Sequence, residues 1–105
     1  MPLYEQRTYQ ILVGRKGELI ELYTTVGWPL LEKYGDKLVG YFLGDVGAMN
    51  QLIHIWRFED DADRRTFWKA FYDDPGLMEF ANRLRPLLAA QENKLMMGAA
   101  WGPRP

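Results

Sequence analysis

The 105-residue sequence contains no cysteine and a single histidine. The lack of cysteine excludes disulfides, thiolate nucleophiles and thiolate metal sites. One histidine cannot assemble a structural zinc set, and no His-Glu-His spacing is present, so neither a metal nor a cofactor is expected. Basic charge is not in excess: 13 lysines and arginines stand against 14 aspartates and glutamates, a net charge of −1. Such a chain has no positive field for nucleic acid or an anionic membrane. No run approaches the roughly 20 apolar residues of a membrane span. The opening MPLYEQRTYQ lacks the basic segment followed by an apolar run that marks a secretory signal, so a cytoplasmic protein is expected. Gly14 and Gly17 have neither the spacing nor the lysine-serine ending of a phosphate loop. The length fits one domain over residues 1–105, with a small core.

Aromatic residues are abundant, at 14% of the chain, and rings of that size need a core, a cleft or an interface. In the stretch LVGYFLGDVGAMNQLIHIWRF, residues 38–58, two strand-like runs flank an insert holding Gly44, Gly47 and Asn50. That pattern predicts a β-hairpin. Its second run alternates Leu52, His54, Trp56 and Phe58 with Ile53, Ile55 and Arg57. Both sets are largely apolar, so both faces of this strand need cover. Residues 3–12 alternate Glu5, Arg7, Tyr9 and Ile11 with Tyr4, Gln6, Thr8 and Gln10, which predicts another strand.

Leu19, Leu22, Tyr23, Val26, Leu30 and Tyr34 form one stripe of a helix over 18–34. Pro29 cannot donate to the Thr25 carbonyl and is expected to kink it. Gly35 takes the place of a glycine just past a helix end. A second helix over 62–72 has Asp60 or Asp61 as its cap and Asp63 in its first turn. The sequence DDPG at 73–76 breaks it, and Asp74 with Pro75 restarts a helix. Leu77, Phe80, Ala81, Leu84 and Leu88 stripe that helix, with a kink at Pro86. Residues 93–101 read as a weaker fourth strand, and 102–105 as a loose tail.

The resulting order, βαββαβ, predicts an α+β, ferredoxin-like domain: a four-stranded antiparallel sheet in the order 4-1-3-2, with helices on one face. The other face keeps Ile53, Ile55 and Tyr4. Burying an aliphatic side chain is worth about 1.5–3 kcal/mol, so a homodimer through the sheet faces is expected.

YEQRTY at 4–9, KYGDKLVGYF at 33–42, NQLIHIWRF at 50–58 and DDP at 73–75 resemble the NIPSNAP family over nearly the whole chain. The resemblance implies a dimeric α/β barrel, in which two sheets face each other and a ligand cleft lies between sheet and helices of each protomer. Similar folds include cofactor-free monooxygenases, small isomerases and cyclases, and haem-degrading enzymes. The fold alone selects none of these reactions. By this analogy Leu52, His54 and Trp56 face the helices together with Arg7 and Tyr9, while Ile53 and Ile55 face the partner sheet.

His54, Arg7 and Tyr9 are the candidate catalytic residues. An imidazole can act as a base or orient an acidic substrate; the competing role is a strand histidine satisfied by its neighbours. Arg7 can grip a carboxylate or carbonyl with two hydrogen bonds, or pair with Glu5. Trp56, Phe71, Tyr72, Leu77 and Phe80 are the candidate walls of an apolar cleft beside the DDPG break, suited to a small apolar or aromatic ligand. Plain core is the alternative for each ring. Two functions follow. One is a cofactor-independent monooxygenase, isomerase or cyclase acting on an apolar carbonyl compound. The other is a non-catalytic dimer that binds a ligand or a protein.

Overall fold

A computed structural model describes residues 2–105; Met1, the first residue of the expected domain, lies outside the described residues. Strand β1 (Leu3–Ile11) is followed by helix α1 (Lys16–Leu22), a π turn (Tyr23–Gly27), α2 (Trp28–Leu31) and a 3-10 turn (Glu32–Lys37). The hairpin β2 (Leu38–Leu43) and β3 (Gln51–Phe58) comes next. Helices α3 (Asp61–Tyr72) and α4 (Pro75–Leu84), a 3-10 turn (Arg85–Leu87) and β4 (Leu88–Met97) complete the order. The sheet runs β2-β3-β1-β4 with every neighbouring pair antiparallel, the order expected from the sequence.

Register decides what the helices cover. Arg7 pairs with His54 and Glu5 with Trp56. Residues directly opposite on paired strands point to the same face. Glu5, Arg7, Tyr9 and Ile11 therefore share the helix side with Leu52, His54, Trp56 and Phe58, and all eight are buried. Ile53 and Ile55 lie on the outer face and stay half-buried.

The helix ends follow local chemistry. The Asp60 side chain accepts from the Asp63 N–H, and that of Asp74 accepts from the Gly76 and Leu77 N–H groups. Pro29 produces a wider turn where a simple kink was expected. The Trp28 N–H reaches back five residues to the Tyr23 carbonyl. Thr24 and Thr25 hydroxyls donate to the Ile20 and Glu21 carbonyls at 2.7 and 2.8 Å. One extra residue in the turn spares the proline ring a clash with the carbonyl four residues back. Gly27 in this turn lies so close to Phe80 that an added Cβ would meet the ring at 2.6 Å.

Four expectations are corrected. Gly35 is not a left-handed cap: it sits inside the 3-10 turn, and positive φ among the described residues falls at Gly14, Gly47 and Gly102. β4 begins at Leu88 and ends at Met97, so the 93–101 boundaries were too late and Leu88 belongs to the strand. Its composition hides it, because most of the strand is solvent-exposed and its order comes from pairing with β1. The tail is not loose: Tyr4 donates its hydroxyl to the Pro105 carbonyl at 2.8 Å, and Arg57 donates to the Arg104 carbonyl at 3.1 Å. Tyr4 is consequently covered by its own chain and is not left open on the outer face.

Candidate functional site

The eight residues singled out from the sequence border one cavity between the sheet and the helices: Arg7, Tyr9, His54, Trp56, Phe71, Tyr72, Leu77 and Phe80. It encloses about 70 Å³. An engineered cavity of about 150 Å³ takes benzene, so this one holds several waters or a group of a few atoms.

Arg7 enters from β1. Its Nε donates to Glu5 Oε2 at 2.6 Å and its Nη1 to the Tyr72 hydroxyl at 3.3 Å. The guanidinium carbon lies 3.7 Å from the Trp68 ring centroid, a cation–π contact. Glu5 is fully buried, and its second oxygen accepts from Arg64 Nε and from Trp68 Nε1, the latter at 3.1 Å. Burial pushes the Glu5 pKa up, but hydrogen bonds from Arg7 and Arg64 outweigh it and hold the carboxylate below its ordinary 4.5. Burial likewise disfavours charge on Arg7, and the Glu5 bond outweighs it. The Arg7–Glu5 pair anticipated as one alternative is therefore present, and the same guanidinium still lines the cavity.

His54 enters from β3. Its Nδ1 accepts from Trp56 Nε1 at 2.7 Å. An indole nitrogen only donates, so Nδ1 carries no proton and the neutral ring bears it on Nε2. That Nε2 is buried and has no hydrogen-bond partner among the described residues. Tyr41 stacks on the ring at 4.8 Å and Tyr9 meets it edge-on at 4.8 Å. Burial first, and the nearby Arg7 charge second, push the pKa down to about 3. The imidazole is neutral, but it faces the cavity as a donor: the lone pair that a base would use is held by Trp56.

This arrangement predicts acid lability. The unfolded histidine takes up a proton near 6.5 and the folded one only near 3, so stability is full above 6.5 and falls as pH drops through that window. The slope approaches about 1.4 kcal/mol per pH unit between the two values. Glu5, with its lowered folded pKa, adds a similar loss only below 4.5. Urea midpoints for His54→Phe should be level from pH 6.5 to 5 where the parent declines. Parallel curves would refute the neutral, depressed imidazole.

Sequence reasoning missed Tyr23, Tyr41, Arg85 and Gln91, which also border the cavity. Tyr41 was within reach, since it pairs with His54 across the hairpin. Gln91 pairs with Tyr9 on β4 and was hidden by the misplaced strand start.

The lining is rich in donors: guanidinium, Nε2–H and tyrosine hydroxyls. The acceptors that could take a proton are engaged, Glu5 by three donors and His54 Nδ1 by one. Burial raises the Tyr9 hydroxyl against the pull of Arg7, so it too remains protonated. Such a site suits an oxyanion. Among the described residues no group of three or more His, Asp or Glu side chains could hold a metal ion, and no helix is long and apolar enough to cross a membrane.

The sequence profile of the NIPSNAP family matches residues 4–103. The human multifunctional procollagen lysine hydroxylase and glycosyltransferase is 29% identical over 90 residues, covering 66% of this chain and 12% of that protein. Protein NipSnap homolog 1 of Danio rerio is 27% identical over 104 residues, covering 96% of this chain and 36% of that protein. The chain thus spans well under half the length of the curated relatives it matches. A solved NIPSNAP family protein of unknown function from Agrobacterium tumefaciens superposes with a TM-score of 0.89 at 30% identity, covering 97% of this chain and 92% of that one.

Proposed function

The chain belongs to the NIPSNAP family, and from that premise we propose that it is a dimeric α/β-barrel protein whose cavity holds the carboxylate, enolate or phenolate of a mostly apolar carbonyl compound. The observation that carries this is the donor-rich lining around Arg7 and the unpartnered Nε2 of His54. Arg7 supplies the charge, already held in place by Glu5 and Trp68, so little order is lost when an anion binds. His54 and Tyr9 supply neutral donors, and Trp56, Phe71, Tyr72, Leu77 and Phe80 give the site mostly apolar walls. In such a place fixed donors are worth more than in water. The enzymatic form is a cofactor-independent monooxygenase, isomerase or cyclase. In each, an electron-rich anion of the substrate is the reactive species, and the site acts by favouring that anion.

A second function, ligand binding without turnover, is favoured by one feature: no side chain at the cavity is free to take a proton. A catalytic version therefore needs a substrate acidic enough to ionise on binding.

Calorimetric titration with acetate and its neutral isostere acetamide tests the shared premise, since both fit a space of about 70 Å³. Acetate should bind at least about tenfold tighter than acetamide, and Arg7→Met should remove the preference. Equal affinity for the two would exclude an oxyanion site. Dimerisation joins the proposal through Ile53, Ile55 and the exposed Phe42, which share the outer sheet face.

A further inference from the structure

A second recess opens on the outside of the same wall. It measures about 370 Å³ and is lined by Leu19, Ile20, Tyr23, Trp28, Leu43 and Leu52, with Thr24 and Tyr41. Among the described residues no charged side chain borders it. Tyr23 and Tyr41 border this recess and the inner cavity alike, so these two rings, 5.5 Å apart, are what separates them. Ile20, Trp28 and Leu43 around it are 39%, 41% and 44% exposed, an unusual concentration of large apolar side chains at one opening. Tyr23 also begins the π turn, whose hydrogen bonds span five residues.

We propose that the ligand is an amphiphile, with its anionic head in the inner cavity, its unbranched apolar tail in the outer recess, and Tyr23 and Tyr41 as the doorway between. The inference rests on the oxyanion reading of the inner cavity. The inner space is too small for more than a head group. Adjacency to it, across two shared rings, is what assigns the recess to the same molecule. A head bound to Arg7 and His54 passes the face of Tyr41, which already stacks on the imidazole, and its remaining atoms meet only hydrocarbon, ring faces and one threonine. The recess accordingly selects for tail length, and the cavity for the charge at the head.

Calorimetric titration with straight-chain carboxylates, from butanoate to dodecanoate below their micellar concentrations, tests this. Affinity should rise about fourfold per added methylene over the first members and then level off when the recess is full. Leu43→Asp at the recess mouth should flatten the series. If butanoate binds and the parent series is flat, the tail assignment is overturned while the oxyanion site stands. If neither butanoate nor acetate binds, the head site fails and the tail assignment with it. A Leu43→Asp variant that keeps the parent slope places the tail elsewhere. A variant whose molecular mass in solution is halved gives the recess to a second copy of the chain; either result overturns the proposal.

Discussion

Glu5→Ala is expected to destabilise the protein by about 3–5 kcal/mol. Glu5 is completely buried and answers three donors: Arg7, Arg64 and Trp68. Removing it leaves the Arg7 guanidinium enclosed against Trp68 with no counter-charge, and leaves the indole N–H without an acceptor. An uncompensated buried charge costs more than the intact pair contributes, because desolvation remains after the attraction is gone. A domain of this size has about 5–15 kcal/mol in total, so the variant should sit near the edge of folding. The urea midpoint should fall steeply at an unchanged slope. Glu5→Gln, which keeps the volume and one acceptor oxygen, should fall between parent and alanine. Glu5→Leu combined with Arg7→Met should recover much of the loss, since both charges are then absent. A midpoint for Glu5→Ala within experimental error of the parent would mean that the cluster does not hold the strand to α3.

Ile55→Lys is expected to convert the proposed dimer to monomer. Ile55 lies on the outer sheet face beside Ile53, and Phe42 across the hairpin is 53% exposed. A lysine there would bring an unpaired ammonium into a closed sheet-on-sheet interface, and such a charge costs several kcal/mol. The dissociation constant should rise by a hundredfold or more. Light scattering at micromolar concentration should give the mass of two chains for the parent and one for the variant, with circular dichroism unchanged. Since Tyr4 is covered by the C-terminal tail, the apolar patch is narrower than the alternation alone suggested, and Ile55 is central to what remains. A parent that is monomeric, or a variant that remains paired, would place the interface elsewhere.

Much of this was written in local patterns. Two-residue alternation in 3–11 and 51–58 grouped Glu5 with Arg7 and Tyr9, and His54 with Trp56, because side-chain direction in a strand follows parity; that the two groups share the helix side was implied by the family resemblance and rests on the register of β1 with β3. Aspartates before Ala62 and before Pro75 located the starts of α3 and α4, because a cap is a contact between residues only a few positions apart. Gly44, Gly47 and Asn50 marked the hairpin for the same reason.

What the tertiary structure decided concerns partners distant in sequence. Whether Arg7 is spent on Glu5 or free for a ligand depends on Arg64, Trp68 and Tyr72, which arrive on a helix some sixty residues later. The proton on His54 is placed by one hydrogen bond from Trp56, whose direction depends on both rotamers. The fate of Pro29 was settled by a turn that Gly27 can pack against Phe80. β4 became a strand because β1 had a free edge to pair, although its own residues carry little strand preference. Local alternation thus determined which side chains of a strand share a face, while strand pairing and long-range packing decided which face is covered and which hydrogen-bonding atoms remain free for chemistry.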